Sequence, residues 1–144
     1  MELLQTRILI FGSNIRTICE DSLKRAGFCE LFFVKDVYEA QAFVESAEPV
    51  HIIVFKWTGK LKVTRSWIES IRMQWPQQTV RFVALVSLAD VGKLQKQALS
   101  IGINWVMANG VQTRTMWLED VPRILRTETD PLKLPGAQLE LEFG

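Results

Sequence analysis

The segment of this 144-residue chain best suited to binding combines positive charge with an aromatic ring. Lys56, Lys60, Lys62 and Arg65 carry four positive charges, and Trp57 lies among them with no acidic residue in between. A tryptophan can anchor an interface, and cations steer a negatively charged partner toward it. The segment is therefore either a solvated loop or a contact surface for an acidic partner.

The other reactive residue types are isolated. His51 has no cysteine, histidine or carboxylate at metal-ligand spacing, so it is expected to be an ordinary hydrogen-bonded histidine. Cys19 falls on the apolar stripe of a predicted helix and is expected to be inert. No glycine-rich phosphate loop, nucleophile elbow or metal-binding helix motif occurs. We therefore expect no metal, no cofactor and no enzymatic activity.

Composition excludes several classes of protein. Hydrophobic residues make up 48% of the chain, and 17 basic residues nearly balance 16 acidic ones. This is the composition of one soluble globular domain without a global field for nucleic acid, which could bind only weakly through the basic segment. No apolar run approaches the ~20 residues that a membrane span needs. With two cysteines and no signal peptide pattern, we expect a cytoplasmic protein.

Five apolar runs, each followed by residues at helical spacing, predict the elements. Gly27, Pro49, Pro76 and Gly102 end four helices, and Pro122 predicts a kink or a late start in the fifth, at 113–126. Alternating strands and helices predict a doubly wound α/β domain with a five-stranded parallel sheet, whose sites form at the carboxyl ends of the strands. The predicted strands are Ile8–Phe11, Leu31–Val34, Ile52–Phe55, Val80–Val86 and Ile103–Met107.

The alternation of apolar runs and helical spacing ends after the last predicted helix. Pro131, Pro135 and Gly136 interrupt residues 127–144, in which four acidic residues face one lysine. We therefore predict a domain over 1–126 and an acidic tail over 127–144 that is a mobile appendage or a docking segment.

The order of the five units, with its glycine and proline punctuation, resembles a response-regulator receiver domain, a (βα)5 flavodoxin-like three-layer sandwich. The resemblance implies two acidic residues after the first strand that hold Mg²⁺, an aspartate ending the third strand that accepts phosphate, and a lysine after the fifth. Mg²⁺ prefers oxygen ligands, and a transferring phosphoryl group needs its charge neutralised.

This chain departs from that pattern at almost every site position. Gly12 and Ser13 fall at the acidic pair, Phe55 at the phospho-acceptor when counted forward from Pro49, and Asn109 at the lysine. Ser87 alone matches, at the hydroxyl position after the fourth strand. Without carboxylates, this degenerate pocket is not expected to bind Mg²⁺ or accept phosphate, and Phe55 is expected to fill the vacated space.

The fifth strand carries two further departures. Val106 stands where the family has a switching aromatic ring, so the usual coupling of the hydroxyl to a ring rotation lacks its moving part. Trp105 lies beside the face that receiver domains commonly use for partners, whereas Trp67, Trp75 and Trp117 fall on helix core stripes.

Two hypotheses follow. In the first, the chain is a pseudo-receiver that signals by binding another protein, such as a kinase, regulator or output protein, or a second copy of itself. The contact would use the basic segment or the surface around Trp105 and Val106. In the second, Ser13, Asn14, Lys56 and Lys60 hold a small anion or a nucleotide at the sheet edge.

Overall fold

A computed structural model describes residues 3–12, 15–46, 49–60, 62–74 and 79–128. In it the five predicted strands form one parallel sheet, which confirms the predicted α/β architecture. The strands are β1 (Ile8–Phe11), β2 (Leu31–Val34), β3 (Ile52–Lys56), β4 (Arg81–Val86) and β5 (Trp105–Ala108), in the order β2-β1-β3-β4-β5.

Helices cover both faces of this sheet. They are α1 (Arg16–Arg25), α2 (Val37–Val44), α3 (Lys62–Met73), α4 (Val91–Ile101) and α5 (Arg114–Leu125). α1 and α5 pack on one face, and α2, α3 and α4 pack on the other. None of the helices in the described residues is long and apolar enough to cross a membrane.

Strand β3 shows why its apolar run is unbroken. Ile52 and Val54 point into the core beneath α1 and α5, while Ile53 and Phe55 point into the core beneath the other three helices. All four are fully buried. A central parallel strand has no solvent face, so it needs apolar residues at every position rather than at alternate ones.

Side-chain caps mark the starts of α2 and α5. The Asp36 carboxylate accepts the Glu39 N–H at 3.0 Å and caps α2, as the sequence predicts, and the Glu39 carboxylate accepts the Lys35 N–H at 3.3 Å. The Thr113 hydroxyl caps α5 by accepting the Met116 N–H at 3.1 Å. Of the two predicted effects of Pro122, a kink or a late start, the late start is wrong, because α5 begins at Arg114 and continues through Pro122.

β5 begins two residues later than predicted because its expected first residue completes the end of α4. The Ile103 N–H donates to the Ala98 carbonyl at 2.9 Å, and Gly102 turns the chain with a φ of 100°. This positive φ favours glycine. A side chain would also collide with Arg72, because a Cβ at position 102 would lie 2.7 Å from Cγ of Arg72. The apolar run at 103–107 thus spans a helix cap and a strand.

Arg72 is a buried cation that the sequence analysis did not identify. Its guanidinium donates to the carbonyls of Gly102 at 3.0 Å and Val80 at 2.6 Å, and to the side-chain oxygen of Asn104. Burial lowers the pKa of Arg72 to about 10, so the group remains charged at neutral pH. These bonds tie α3 to the start of β4 and the end of α4.

His51 lies immediately before β3, at the edge of the sheet where the strands begin, which we call the lower edge. Its Nδ1 accepts the Arg7 N–H at 2.8 Å, which confirms the prediction of a hydrogen-bonded histidine. Burial, with the nearby charges of Arg7 and Arg81, lowers the pKa of His51 below its ordinary value. The neutral ring, which the acceptor role requires, is therefore favoured.

The core positions predicted for two tryptophans are confirmed. Trp67 is buried and donates its indole N–H to Gln41, linking α3 to α2, and Trp117 donates to the Ser22 hydroxyl at 2.7 Å, linking α5 to α1. Trp75 lies outside the described residues. Burial raises the pKa of the Cys19 thiol to about 12, which accords with an inert thiol.

Candidate functional site

We call the edge of the sheet formed by the carboxyl ends of the strands the upper rim. The β3 residue at this rim is Lys56, not Phe55. The β1–β3 register pairs Phe11 with Phe55, and the backbone of Gly12 lies next to that of Lys56. The prediction that Phe55 stands at the strand-end position is therefore wrong by one residue, because β3 continues one residue past its apolar run. A lysine cannot accept a phosphoryl group as an aspartate does.

Phe55 belongs to the core instead. Its side chain is fully buried, its ring is stacked on that of Phe11 with centroids 5.4 Å apart, and it meets the Phe82 ring edge-on at 6.3 Å. The ring is buried as expected, but it lies in the core beneath the rim and not in the vacated pocket that the sequence analysis assigned to it.

Gly12 occupies the first position at which the receiver resemblance implies an acidic residue. Its backbone conformation disfavours any residue with a side chain. Its φ of 126° lies in the region that glycine adopts readily, and a Cβ would lie 3.3 Å from the Lys56 nitrogen. An aspartate here would be strained as well as close to the β3 backbone. Ser13, the second predicted position, lies outside the described residues.

The two remaining predicted positions sit at the ends of β4 and β5. Ser87 is exposed, and its carbonyl accepts the Asp90 N–H at 2.8 Å. Asn109 is half-buried and extends the ladder by donating its N–H to the Val86 carbonyl at 2.7 Å. Its side-chain oxygen is buried and has no hydrogen-bond partner in the described residues. The structure thus gives neither residue a charged partner in the described rim.

The described rim has the wrong charges for a Mg²⁺ site. Lys56 and Asp36 are the charged residues among the described ones that line a hollow of about 340 Å³ beside Gly12, so one cation and one carboxylate contribute to it. Among the described residues, no group of three histidine, cysteine, aspartate or glutamate side chains could hold a metal ion. Mg²⁺ binding would need further oxygen ligands at this place.

The basic segment does not form the surface that the sequence predicts. Trp57 is buried in the core beneath α3 and α4, because strand alternation continues past Phe55 and turns Trp57 to the same face. The prediction of an exposed tryptophan anchor is therefore wrong. Its backbone N–H donates to the Leu85 carbonyl at 2.9 Å, while its indole N–H finds no partner within the described residues.

The charges of that segment are also divided between elements. Lys62 is the first residue of α3, and Arg65 pairs with Glu69 one turn later at 2.8 Å. Lys60 remains exposed in the loop, and Lys56 is half-buried at the strand end. The charge of Arg65 is therefore compensated, and the predicted set of four uncompensated charges is not present.

A concave and mostly apolar surface lies beside β5. A groove of about 560 Å³ runs between α4 and α5, with β5 as its floor, and includes the half-buried Trp105 and Val106. Two apolar side chains at its upper end are solvent-accessible, Leu88 to 72% and Val111 to 43%. Exposed apolar side chains around a groove are typical of interaction sites.

The sequence analysis identified the floor of this groove but missed its walls. The walls are formed by Leu88, Val91, Leu99, Val111 and Met116. A signal was present, since Leu88 and Val111 are large apolar residues in the segments that follow β4 and β5. Polar residues are expected at such turns. No helical stripe accounts for either residue.

The fold is that of response-regulator receiver domains, as comparison with solved structures shows. The chemotaxis response regulator CheY4 of Vibrio cholerae superposes with a TM-score of 0.65 and 16% sequence identity, covering 83% of this chain and 98% of that protein. The bacteriophytochrome response regulator RtBRR gives 0.64 and 14%, covering 96% and 90%. No protein-family model and no curated protein matches the sequence. These identities establish a shared fold alone.

Proposed function

We propose that this chain is a pseudo-receiver, a signalling module that accepts no phosphoryl group and acts by binding another protein. The observation that carries the proposal is the apolar groove between α4 and α5, which combines a concave floor with strongly exposed apolar side chains. Burying such a surface against a partner releases free energy in proportion to the apolar area removed from water. The partner would be a kinase, a regulator or an output protein.

The rim supports the first half of the proposal. Gly12 and Lys56 stand where a phosphorylatable receiver needs carboxylates, and Asn109 stands where it needs a cation. Metal binding, nucleophilic attack and charge neutralisation would each lack a group at these positions. Signalling would then depend on binding and release rather than on phosphorylation.

Incubation with acetyl phosphate, or with beryllofluoride, in the presence of Mg²⁺ is expected to leave the protein unchanged. Intact-mass spectrometry and amide chemical shifts provide the two measurements, with a phosphorylatable receiver domain treated in parallel. Lys56→Asp is expected to stay unmodified as well, since Gly12 and Asn109 supply neither a metal ligand nor a counter-charge. A gain of one phosphoryl group on an aspartate of the wild-type chain would overturn this expectation.

Partner capture from source cells is expected to depend on Leu88 and not on an equally apolar residue elsewhere. Leu88→Glu places a charge in the groove, whereas Met73→Glu places it on α3, where the wild-type residue is 86% exposed. A protein retained by wild type and by Met73→Glu, but lost by at least about tenfold with Leu88→Glu, is the expected result. Loss with Lys60→Glu alone would move the contact to the basic loop and contradict the groove assignment.

A small-anion site is the second candidate, because a hollow of about 400 Å³ beside Gly12 is lined by Arg16 and Lys35. Glu39 also lines this hollow, and Asp36 faces the neighbouring one. A carboxylate in each hollow opposes anion binding, so protein binding is the better supported function.

A further inference from the structure

The groove beside β5 runs along the backbone edge of the strand rather than across one of its faces. Every residue from 103 to 108 lines it, whereas the face of a strand presents only alternate residues. Among the described strands β5 has one neighbour, β4. An edge strand offers alternate N–H and carbonyl groups to any further extended segment.

The chain itself leaves α5 at the end of this groove. Thr127 lines the groove, and its carbonyl accepts a bond from the Arg81 guanidinium at 3.3 Å. The next carbonyl, that of Glu128, accepts the side-chain N–H of Asn104 at 2.8 Å, immediately before β5 begins. Two bonds therefore hold the backbone at the groove just before residues 129–144, which lie outside the described residues.

Those sixteen residues contain a segment with the pattern of a strand. Leu139, Leu141 and Phe143 alternate with Glu140 and Glu142. Period-two alternation is typical of a strand with one buried face. The ten residues between Glu128 and Leu139 can span up to roughly 33 Å, which exceeds the roughly 13 Å length of β5. The segment can therefore reach the whole edge.

The tether, rather than charge, favours this contact. Residues 129–144 contain three acidic residues and one lysine, and Asp120 of α5 lines the groove whereas Lys93 and Lys96 of α4 do not. A tethered segment experiences an effective concentration in the millimolar range, well above that of a second copy at micromolar concentration. The tail of the same molecule is thus favoured over the tail of another.

We propose that residues 138–143 dock along the free edge of β5 as an additional strand, with the apolar side chains of Leu139, Leu141 and Phe143 in the groove. The docked tail would cover the surface assigned above to the partner. Partner binding would then require displacement of the tail. Only this regulatory consequence rests on the proposed function, because the docking itself is independent of any partner.

Hydrogen exchange of the full-length chain tests the docking without a partner. The test variant combines Leu139→Asp, Leu141→Asp and Phe143→Asp. A matched control combines Gly136→Asp, Ala137→Asp and Gly144→Asp, which adds the same charge at positions outside the segment 138–143. Amides of peptides covering 103–111 are expected to exchange at least about tenfold faster in the test variant than in wild type or control.

Two outcomes would overturn the proposal. Equal exchange of β5 in all three proteins would mean that the tail does not cover the edge. Protection that rises with protein concentration, together with a dimer that the test variant loses, would show that the occupant is a second copy. Failure of Leu88→Glu to affect partner capture while β5 stays protected would reject the proposed function and leave the docking intact.

Discussion

Replacing Phe55 by aspartate is expected to lower the free energy of unfolding by about 3–5 kcal/mol. The substitution removes a fully buried ring that is stacked on Phe11 and in edge contact with Phe82, and it places a carboxylate in the same apolar core. A buried carboxylate without a partner is itself unfavourable. Denaturant unfolding followed by circular dichroism measures the change.

Phe55→Leu is the matched control, because it keeps an apolar side chain in the cavity. Its loss of stability is expected to be roughly 1–1.5 kcal/mol, which separates the effect of the missing ring from that of the buried charge. Phe55→Asp is not expected to acquire phosphoryl transfer from acetyl phosphate. A loss below about 1 kcal/mol for Phe55→Asp would contradict the placement of the ring in the core.

Replacing Arg72 by methionine is expected to lower the free energy of unfolding by about 3 kcal/mol, although the substitution is apolar and the site is buried. The carbonyls of Val80 and Gly102 would lose their donors in the interior, and the side chain of Asn104 would lose one of its bonds. Unsatisfied buried acceptors account for most of the expected loss.

Arg65→Met on the same helix is the control for charge and helix propensity. Arg65 is largely exposed and pairs with Glu69, so its replacement is expected to change stability by less than about 1 kcal/mol. Similar effects of the two substitutions would show that the carbonyl bonds of Arg72 contribute little.

The positions of most elements could be predicted from local patterns. The bounds of β1 and β2 match the predicted apolar runs, and the capping residues Asp36 and Thr113 lie where helices α2 and α5 begin. These features depend on residues within one or two turns of the chain. Apolar periodicity and side-chain caps report such local interactions directly.

The errors arose where one residue belongs to two patterns. Trp57 follows Lys56 in a basic stretch, which suggested a loop, yet it also continues the alternation of Ile53 and Phe55, and burial in the core decided its place. Ile103 belongs to an apolar run but forms a bond that ends α4. Which pattern prevails depends on what packs against the residue, and that neighbour is distant in sequence.

The sequence by itself determined the class of fold, since the alternation of apolar runs and helical stripes depends on residue type and spacing. Only the tertiary structure decided that Lys56 ends β3, that Trp57 is buried, and that Leu88 and Val111 meet at one groove. The register between β1 and β3 and the spacing of α4 and α5 are set by contacts between distant segments. Those contacts minimise the exposed apolar area of the whole chain, which no local pattern encodes.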